Sequence, residues 1–191
     1  MSSAVVHSVH IYDEHSSLIK RLCGIVVSGL QIGDSVLTVA TQEHRDQLIR
    51  ELTDAGVNIR QHAREGRFTM VDAKATLRAF MVRGRPDALL FRESVGKLLE
   101  DARKSARSKD AGLTVFGEMV AVLWEEGKKE PALELEKLWN DALSTRTFHL
   151  HCAYPRSSFD GDTKGPGLAE VCQAHSHVLD STDSWIGTRA A

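Results

Sequence analysis

A carboxylate stands directly after an apolar stretch at Gly117-Glu118-Met119. In α/β proteins a carboxylate just past a core strand can bind a metal ion or act as a general base. The same glutamate can instead begin a helix, where the positive end of the helix dipole stabilises it. Both interpretations of Glu118 stay open. It could also accept a hydrogen bond from His10 or Tyr12 if their strands are neighbours.

Nine histidines are a large number for a chain of 191 residues, and they first suggest a metal protein. His149 and His151 are two residues apart on an expected strand, so they share one face and could chelate a metal ion. The candidates for a third ligand are scattered along the chain: His10, Glu118, His175 and His177. We therefore predict no metal site and no cofactor, and we interpret most of the histidines as titratable surface groups.

The first strand-to-helix turn bears on phosphate binding. It reads Tyr12-Asp13-Glu14-His15 and lacks both the glycines and the lysine of a phosphate-binding loop. Its two carboxylates would repel a triphosphate. The turn therefore argues against nucleotide hydrolysis by a P-loop mechanism.

Strands that alternate with helices must position these residues. Apolar and β-branched segments predict six strands, at residues 5–12, 35–40, 57–61, 68–71, 112–116 and 147–154. Helices of mostly 12–20 residues are expected between them. The alternation predicts an α/β fold with three αβα layers and a mostly parallel sheet. Ligands of such sheets bind beyond the carboxyl ends of the strands, so the residues that follow each strand are the ones to examine.

The composition changes near the end of the chain. Residues 157–167 are rich in Ser, Gly, Asp and Pro and predict a loop, residues 168–179 predict one helix, and the final dozen residues predict a frayed end. We expect one domain over residues 1–159 and a C-terminal segment over residues 160–191.

The charge balance and the apolar content limit the class of protein. The 24 basic and 26 acidic residues give a net charge of −2, which argues against direct nucleic-acid binding. No apolar run approaches the roughly 18–20 residues of a membrane span, and the first residues do not resemble a signal peptide. The three cysteines are far apart and predict reduced thiols. These features predict a cytoplasmic protein.

Several segments resemble a known family. Gly33-Asp34 followed by SVLTVAT, and later GVNI and GRFTMVDA, resembles the part of RecA/KaiC-like ATPases that follows the P-loop. Together with FGEMVAVLWEEG, LELEKLWN and CAYPRSSF, this pattern resembles the MEDS family, the methanogen/methylotroph DcmR sensory domain, over residues 5–159. The resemblance implies a RecA/KaiC-like fold with a degenerate nucleotide site. It also implies a sensory domain for small organic compounds without ATPase activity.

The resemblance also implies where a ligand would bind. The motifs concerned are the first-strand motif, the GEM motif and the CAYP motif. Together with the turn after the first strand they give seven candidate ligand-binding residues: His10, Tyr12, Glu14, His15, Glu118, Met119 and Tyr154.

Three functions are consistent with the sequence. The favoured one is a non-catalytic regulatory domain that binds a small organic ligand and relays to a histidine kinase or transcription regulator, with self-association possible. The second is an enzyme on a degenerate RecA-like fold that uses Glu118 with a nearby histidine. The third is a protein-binding module that uses the predicted helix over residues 87–108 or the C-terminal segment.

Overall fold

The computed structural model describes residues 6–106, 111–160, 166–180 and 185–188. Two sheets are built from the strands β1 (His7–Tyr12), β2 (Ser35–Ala40), β3 (Phe68–Asp72), β4 (Met81–Val82), β5 (Arg85–Pro86), β6 (Leu113–Gly117), β7 (His149–Pro155), β8 (His177–Leu179) and β9 (Trp185–Thr188). The main sheet has the order β3-β2-β6-β7-β1-β8-β9, and β4 and β5 form a separate hairpin. All neighbours in the main sheet are parallel except β8 and β9.

The described residues form eight α-helices, which cover the two faces of this sheet. They are α1 (His15–Ile32), α2 (Gln42–Asp54), α3 (Ile59–Arg64), α4 (Ala73–Phe80), α5 (Ala88–Lys104), α6 (Met119–Glu125), α7 (Lys129–Thr145) and α8 (Leu168–Ala174). Helices α1–α3 pack on one face and α4–α8 on the other, so the chain has two hydrophobic cores. This arrangement confirms the predicted α/β fold with a mostly parallel sheet between helices. Among the described residues, no helix combines the length and apolar character that crossing a membrane requires.

Short polar side chains begin two of the helices that the sequence predicts. The carboxylate of Asp72 accepts a hydrogen bond from the backbone N–H of Ala75. The carboxylate of Asp87 accepts from the N–H groups of Leu89 and Leu90. These caps satisfy N–H groups that have no partner within the helix, which is why α4 and α5 begin where the aspartates stand.

Two of the predicted elements are wrong. The strand predicted at residues 57–61 is the start of helix α3, because the side chain of Asn58 accepts from the N–H of Gln61 and caps a helix. The helix predicted at residues 168–179 ends at Ala174. Ser176 then donates its backbone N–H to the carbonyl of His7 and directs the chain alongside β1.

The C-terminal segment therefore adds strands to the main sheet. β8 pairs with β1, and residues 185–188 form β9 where the sequence predicted a frayed end. The rest of that predicted end, residues 181–184 and 189–191, lies outside the described residues.

Helix α1 approaches the sheet most closely at Gly29. A Cβ atom at this position would lie 2.9 Å from Cγ2 of Val36 and 3.3 Å from Oγ1 of Thr114. A contact below 3 Å with a stiff β-branched side chain forces the helix or the strand to move. The absence of a side chain at Gly29 thus sets the spacing between α1 and the sheet.

Replacing this glycine tests the close approach. We expect Gly29→Ala to lower the free energy of unfolding by about 1–3 kcal/mol. Gly24→Ala is the matched control in the same helix, since a Cβ there has nothing within 4 Å. That change should be neutral or stabilise by up to about 1 kcal/mol, because alanine favours helix. Urea unfolding of both variants checks the prediction, and equal effects would contradict it.

Candidate functional site

A crevice opens at the carboxyl ends of the parallel strands. It encloses a cavity of about 330 Å³. Tyr12 ends β1, Thr41 follows β2, Asp72 ends β3 and Glu118 follows β6, and all four line the cavity. The residues at the carboxyl ends of these parallel strands therefore lie together in the crevice, as expected for this class of sheet.

Glu118 is the centre of a hydrogen-bonded chain in this crevice. The residue is 3% exposed. Its Oε1 accepts from the backbone N–H of Thr41 (2.6 Å), and its Oε2 accepts from Nδ1 of His44 (2.7 Å). His44 Nε2 in turn lies 2.8 Å from Nδ1 of His15, which is exposed. The chain therefore links a buried carboxylate to an imidazole at the mouth of the crevice.

The carboxylate determines the charge of His44. Burial lowers the pKa of His44, but the hydrogen bond and the negative charge of Glu118 outweigh this effect and raise the pKa above its ordinary value. Glu43 and Glu125 raise it further. A protonated His44 donates from both ring nitrogens, to Glu118 and to His15. The second ring nitrogen of His15 is left to interact with the crevice.

The crevice lining is acidic. Four carboxylates line it, those of Glu43, Asp72, Glu118 and Glu125, against one lysine, Lys74. Burial raises the pKa of Tyr12, and the charges of Glu118, Glu125 and Glu43 raise it further, so its phenol remains a neutral hydrogen-bond donor. Burial, and then Glu118, also raise the pKa of Glu125. Carboxylates therefore outnumber the cationic side chains of the lining.

One protein-family model matches most of the chain. The model of the MEDS family, the MEthanogen/methylotroph, DcmR Sensory domain, matches residues 6–176. The chain belongs to the MEDS family. This confirms the family that the sequence motifs indicated, and it makes the chain a member of a sensory domain family. A search of curated proteins gives no match.

The match to the MEDS domain extends beyond the predicted boundary at residue 159. It includes α8 and reaches Ser176, which bonds to His7 at the start of β1. The division into residues 1–159 and 160–191 stays a prediction.

The MEDS domain brings three of the seven candidate residues to the crevice. Tyr12, His15 and Glu118 line the cavity. Glu14 is exposed at the start of α1, where its carboxylate accepts from the hydroxyl of Ser16. These positions follow from the alternation of side chains along β1 and from the turn that ends it.

The other three candidates lie elsewhere in the MEDS domain. Met119 is buried in the core beside α4–α8. Tyr154 is buried on that same face. His10 faces α1 and lines a separate cavity of about 670 Å³. The hydrogen bonds of Glu118 go to Thr41 and His44, which follow β2, and β6 is separated from β1 by β7.

The His149/His151 pair lies beside His10 in this second cavity. Nδ1 of His151 lies 2.7 Å from the hydroxyl of Ser8. Burial, and then the positive charge of Arg21, lower the pKa of His151 to about 4, so its ring is neutral. The pair thus shares one face of β7, as the spacing predicts.

A second polar group of side chains, which sequence reasoning missed, is buried under α7. Four residues with metal-ligating atoms meet there: His7, Glu136, Cys152 and His175. We call them the buried cluster. Their ligating atoms all lie within 4.8 Å of one another, and Glu136 is fully buried. Tyr154 donates its hydroxyl to Oε1 of Glu136 (2.8 Å).

The interpretation of most histidines as surface groups is wrong, because His15 alone among the nine is exposed and the others are buried or half-buried. Four of the nine are at most 7% exposed: His7, His10, His44 and His175. Each lies on a strand, in a helix or at a turn whose neighbouring polar groups can hold an imidazole away from water.

The pair of His44 and Glu118 should make the stability of the MEDS domain depend on pH. Because the folded-state pKa of His44 is raised, its stabilisation is fully present below the unfolded value of about 6.5 and lost as the pH rises through the folded value. We expect His44→Gln to destabilise more at pH 5.5 than at pH 8.5. Urea unfolding at both pH values measures this difference.

A double-mutant cycle provides the control. In the Glu118→Gln background, His44→Gln should lose this dependence on pH, since the charge that holds the proton is gone. An equal effect of His44→Gln at both pH values in the unmodified chain would contradict the pair as described.

Proposed function

We propose that this MEDS domain is a non-catalytic regulatory domain that binds a small organic molecule in the crevice beside Glu118. The observation that carries the proposal is the hydrogen-bonded chain from Glu118 through His44 to His15. It holds polar groups in fixed positions at the wall of a cavity. Buried carboxylates that orient other side chains in this way pre-organise a binding site. The sensory character of the family supports the same conclusion.

The lining indicates the chemical class of the ligand. The cavity of about 330 Å³ is at the small end of the range for ligand sites. Its apolar lining residues are Leu18, Ala121, Val122 and Ala153. The carboxylates among the other lining residues disfavour phosphates and carboxylates. A small alcohol, amine or amide, uncharged or cationic and with a short apolar part, matches both parts of the lining.

The absence of a phosphate-binding loop supports the same assignment. We propose that the chain has a RecA/KaiC-like fold whose nucleotide site has degenerated. The turn after β1, where such a loop would stand, contains Asp13 and Glu14. A turn with two carboxylates, no lysine and no glycine lacks the residues with which such loops hold a phosphate.

The helices that line the crevice provide a route to a partner. His15 is in the first turn of α1 and His44 is in the first turn of α2. A ligand that binds one arrangement of these two helices more tightly shifts the population toward it and changes their outer surface. We propose that a histidine kinase, a transcription regulator or a second copy of the chain reads this change.

Thermal-shift measurements with defined compounds test the proposal. The panel contains short alcohols, amines and amides, with carboxylates, inorganic phosphate and ATP as the anionic arm. We expect at least one neutral or cationic compound to raise the Tm and the anionic arm to leave it unchanged. In Glu118→Gln the compound should lose its effect, whereas Glu14→Gln, an exposed change outside the cavity, should keep it.

Three outcomes would overturn the proposal. They are a panel in which no compound raises the Tm, a Glu118→Gln variant that responds like the unmodified chain, and a response restricted to the anions. If no compound raises the Tm, the crevice has no ligand of the proposed class. If Glu118→Gln responds like the unmodified chain, the ligand binds away from Glu118. If only the anions raise the Tm, the ligand is an anion.

The hydrogen bonds that link Glu118, His44 and His15 favour acid–base catalysis as a second candidate function. A carboxylate that orients an imidazole, which in turn contacts a second imidazole, can move a proton between the protein interior and a bound molecule. Incubating the protein with each compound that raises the Tm, and following the compound by NMR, separates the two candidates. Conversion that requires Glu118 indicates an enzyme. Binding without conversion indicates a regulatory domain.

A further inference from the structure

We propose that the buried cluster is a zinc site that fastens the C-terminal turn of the domain to its first strand. The cluster is separate from the crevice and does not depend on the function proposed for it. Its four members come from β1, α7, β7 and the turn after α8.

The outer nitrogens of both histidines are held by oxygen acceptors. Nδ1 of His175 lies 2.7 Å from the carbonyl oxygen of Val171. Nδ1 of His7 lies 2.9 Å from Oδ1 of Asn140, whose amide nitrogen donates to the carbonyl of Ala174 (3.0 Å). Because a carbonyl or amide oxygen can only accept, each Nδ1 is the donor. In the neutral form of either ring, the form that binds a metal ion, the lone pair is then on Nε2, which points inward.

Two inward lone pairs thus meet a carboxylate. Nε2 of His7 lies 3.4 Å from Oε2 of Glu136, and Nε2 of His175 lies 3.5 Å from Oε1. Both separations exceed the 2.7–3.2 Å of an N–H···O hydrogen bond. Among the described residues, Nε2 of His175 has no hydrogen-bond partner although the residue is 2% exposed. A cation between the two Nε2 atoms and the carboxylate of Glu136 would stabilise this arrangement, because all of these groups are electron-pair donors.

Several contacts in the cluster are close to the edges of a tetrahedron around zinc, and the four ligating atoms all lie within 4.8 Å of one another. Bonds of about 2.0–2.1 Å to nitrogen and oxygen place these ligands about 3.4 Å apart, and a Zn–S bond of about 2.3 Å gives about 3.6 Å between sulfur and nitrogen. The observed N···O contacts go to different oxygens of Glu136, 3.4 Å to Oε2 from His7 and 3.5 Å to Oε1 from His175, and Sγ of Cys152 lies 3.6 Å from Nε2 of His7. Sγ lies 3.9 Å from Oε2 of Glu136.

The types of ligand select the metal. One thiolate and two imidazoles suit zinc, whereas magnesium and calcium require oxygen ligands. The carboxylate of Glu136 supplies the fourth ligand. With both the thiol of Cys152 and the carboxyl ionised, the site carries two negative charges, which a divalent cation balances in the buried environment.

The groups around the cluster resemble the supporting shell of metal sites. Metal-bound histidines usually donate their other N–H to a carbonyl or carboxylate, and bound carboxylates are themselves hydrogen-bonded. Here Asn140 and the carbonyl of Val171 hold the histidines, and Tyr154 holds Glu136. These hydrogen bonds orient His7, His175 and Glu136 without a metal ion.

Metal content and cobalt spectroscopy test the proposal on the whole chain without a histidine tag. We expect one zinc per chain after purification and a lower Tm after chelation. Adding Co²⁺ to the chelated protein should give the visible absorption of a four-coordinate ion and a near-ultraviolet thiolate-to-cobalt band at one equivalent.

Matched variants locate the metal. Cys152→Ser should lose the thiolate band and bind zinc at least tenfold more weakly, whereas Cys23→Ser, on the opposite face of the sheet, should behave like the unmodified chain. Asn140→Ala should weaken zinc binding by about 10–100-fold, because it releases a bound histidine. If Cys152→Ser does not fold, the cobalt band of the unmodified chain decides the question.

The absence of a thiolate band in the unmodified chain would overturn the proposal. So would zinc binding that Cys152→Ser leaves unchanged, since the metal would then be bound elsewhere. A stoichiometry well below one zinc per chain, even after zinc is added, would show a buried network of hydrogen bonds in place of a metal centre.

Discussion

Replacing Glu118 by alanine is expected to lower the free energy of unfolding by about 3–5 kcal/mol, the range for removing one partner of a buried ion pair. The change removes the acceptor of the Thr41 N–H and leaves the imidazole of His44 without its carboxylate. A buried donor that loses its partner is not compensated by water. Urea unfolding at pH 6, which is below the raised pKa of His44, measures the effect.

Glutamine at the same position separates the hydrogen bond from the charge. Glu118→Gln keeps an oxygen acceptor for Thr41 and loses the charge that holds the proton on His44. We expect it to destabilise by about half as much as alanine. A loss below about 1 kcal/mol for Glu118→Ala would show that the carboxylate does not organise the crevice.

Replacing Trp139 by alanine is expected to lower the free energy of unfolding by about 3–5 kcal/mol. This side chain of α7 is fully buried. Its ring meets Phe91 of α5 edge-on at 5.2 Å and lies 6.4 Å from the ring of Phe148. For a chain of this size such a loss corresponds to a fall of about 6–20 °C in Tm. Calorimetry or circular dichroism measures it.

Leu89 is the matched control for this core prediction. It is a large apolar residue of α5 that is 66% exposed, so Leu89→Ala should change stability by less than about 0.5 kcal/mol. Trp139→Phe should fall between the two, because it keeps an aromatic ring in contact with Phe91. Equal effects of Trp139→Ala and Leu89→Ala would contradict the position of Trp139 in the core.

The layered fold could be predicted from the sequence because its signals are local. Periodicity identified β1, β2, β6 and β7, and aspartates identified the starts of α4 and α5. The strand predicted at residues 57–61 was wrong because a short apolar segment is too short to show helical or strand periodicity. The side chain of Asn58 caps a helix there.

The partners of the site residues could not be predicted, because they depend on the order of the strands. Glu118 lies beside His44 since β6 pairs with β2, and no local pattern shows that pairing. Nearness of His7 to Cys152 likewise follows from the pairing of β1 with β7.

Two of the missed residues did leave a signal in their helices. His44 shares the i, i+4, i+8 stripe of Leu48 and Leu52 in α2, all of them buried. Glu136 lies between Ala132 and Trp139 in the buried stripe of α7. A polar residue within an apolar stripe indicates a buried polar group that needs a partner.

The central position of β1 has a consequence for the order in which the chain can fold. Ser8 of β1 lies against His151, which the ribosome adds 143 residues later. The strands β2, β3 and β6 can pair as soon as residue 117 has been made, whereas β1 waits for β7 and then for β8. Pairings between residues so distant in sequence form slowly, so β1 is the strand of the parallel sheet that waits longest for its partners.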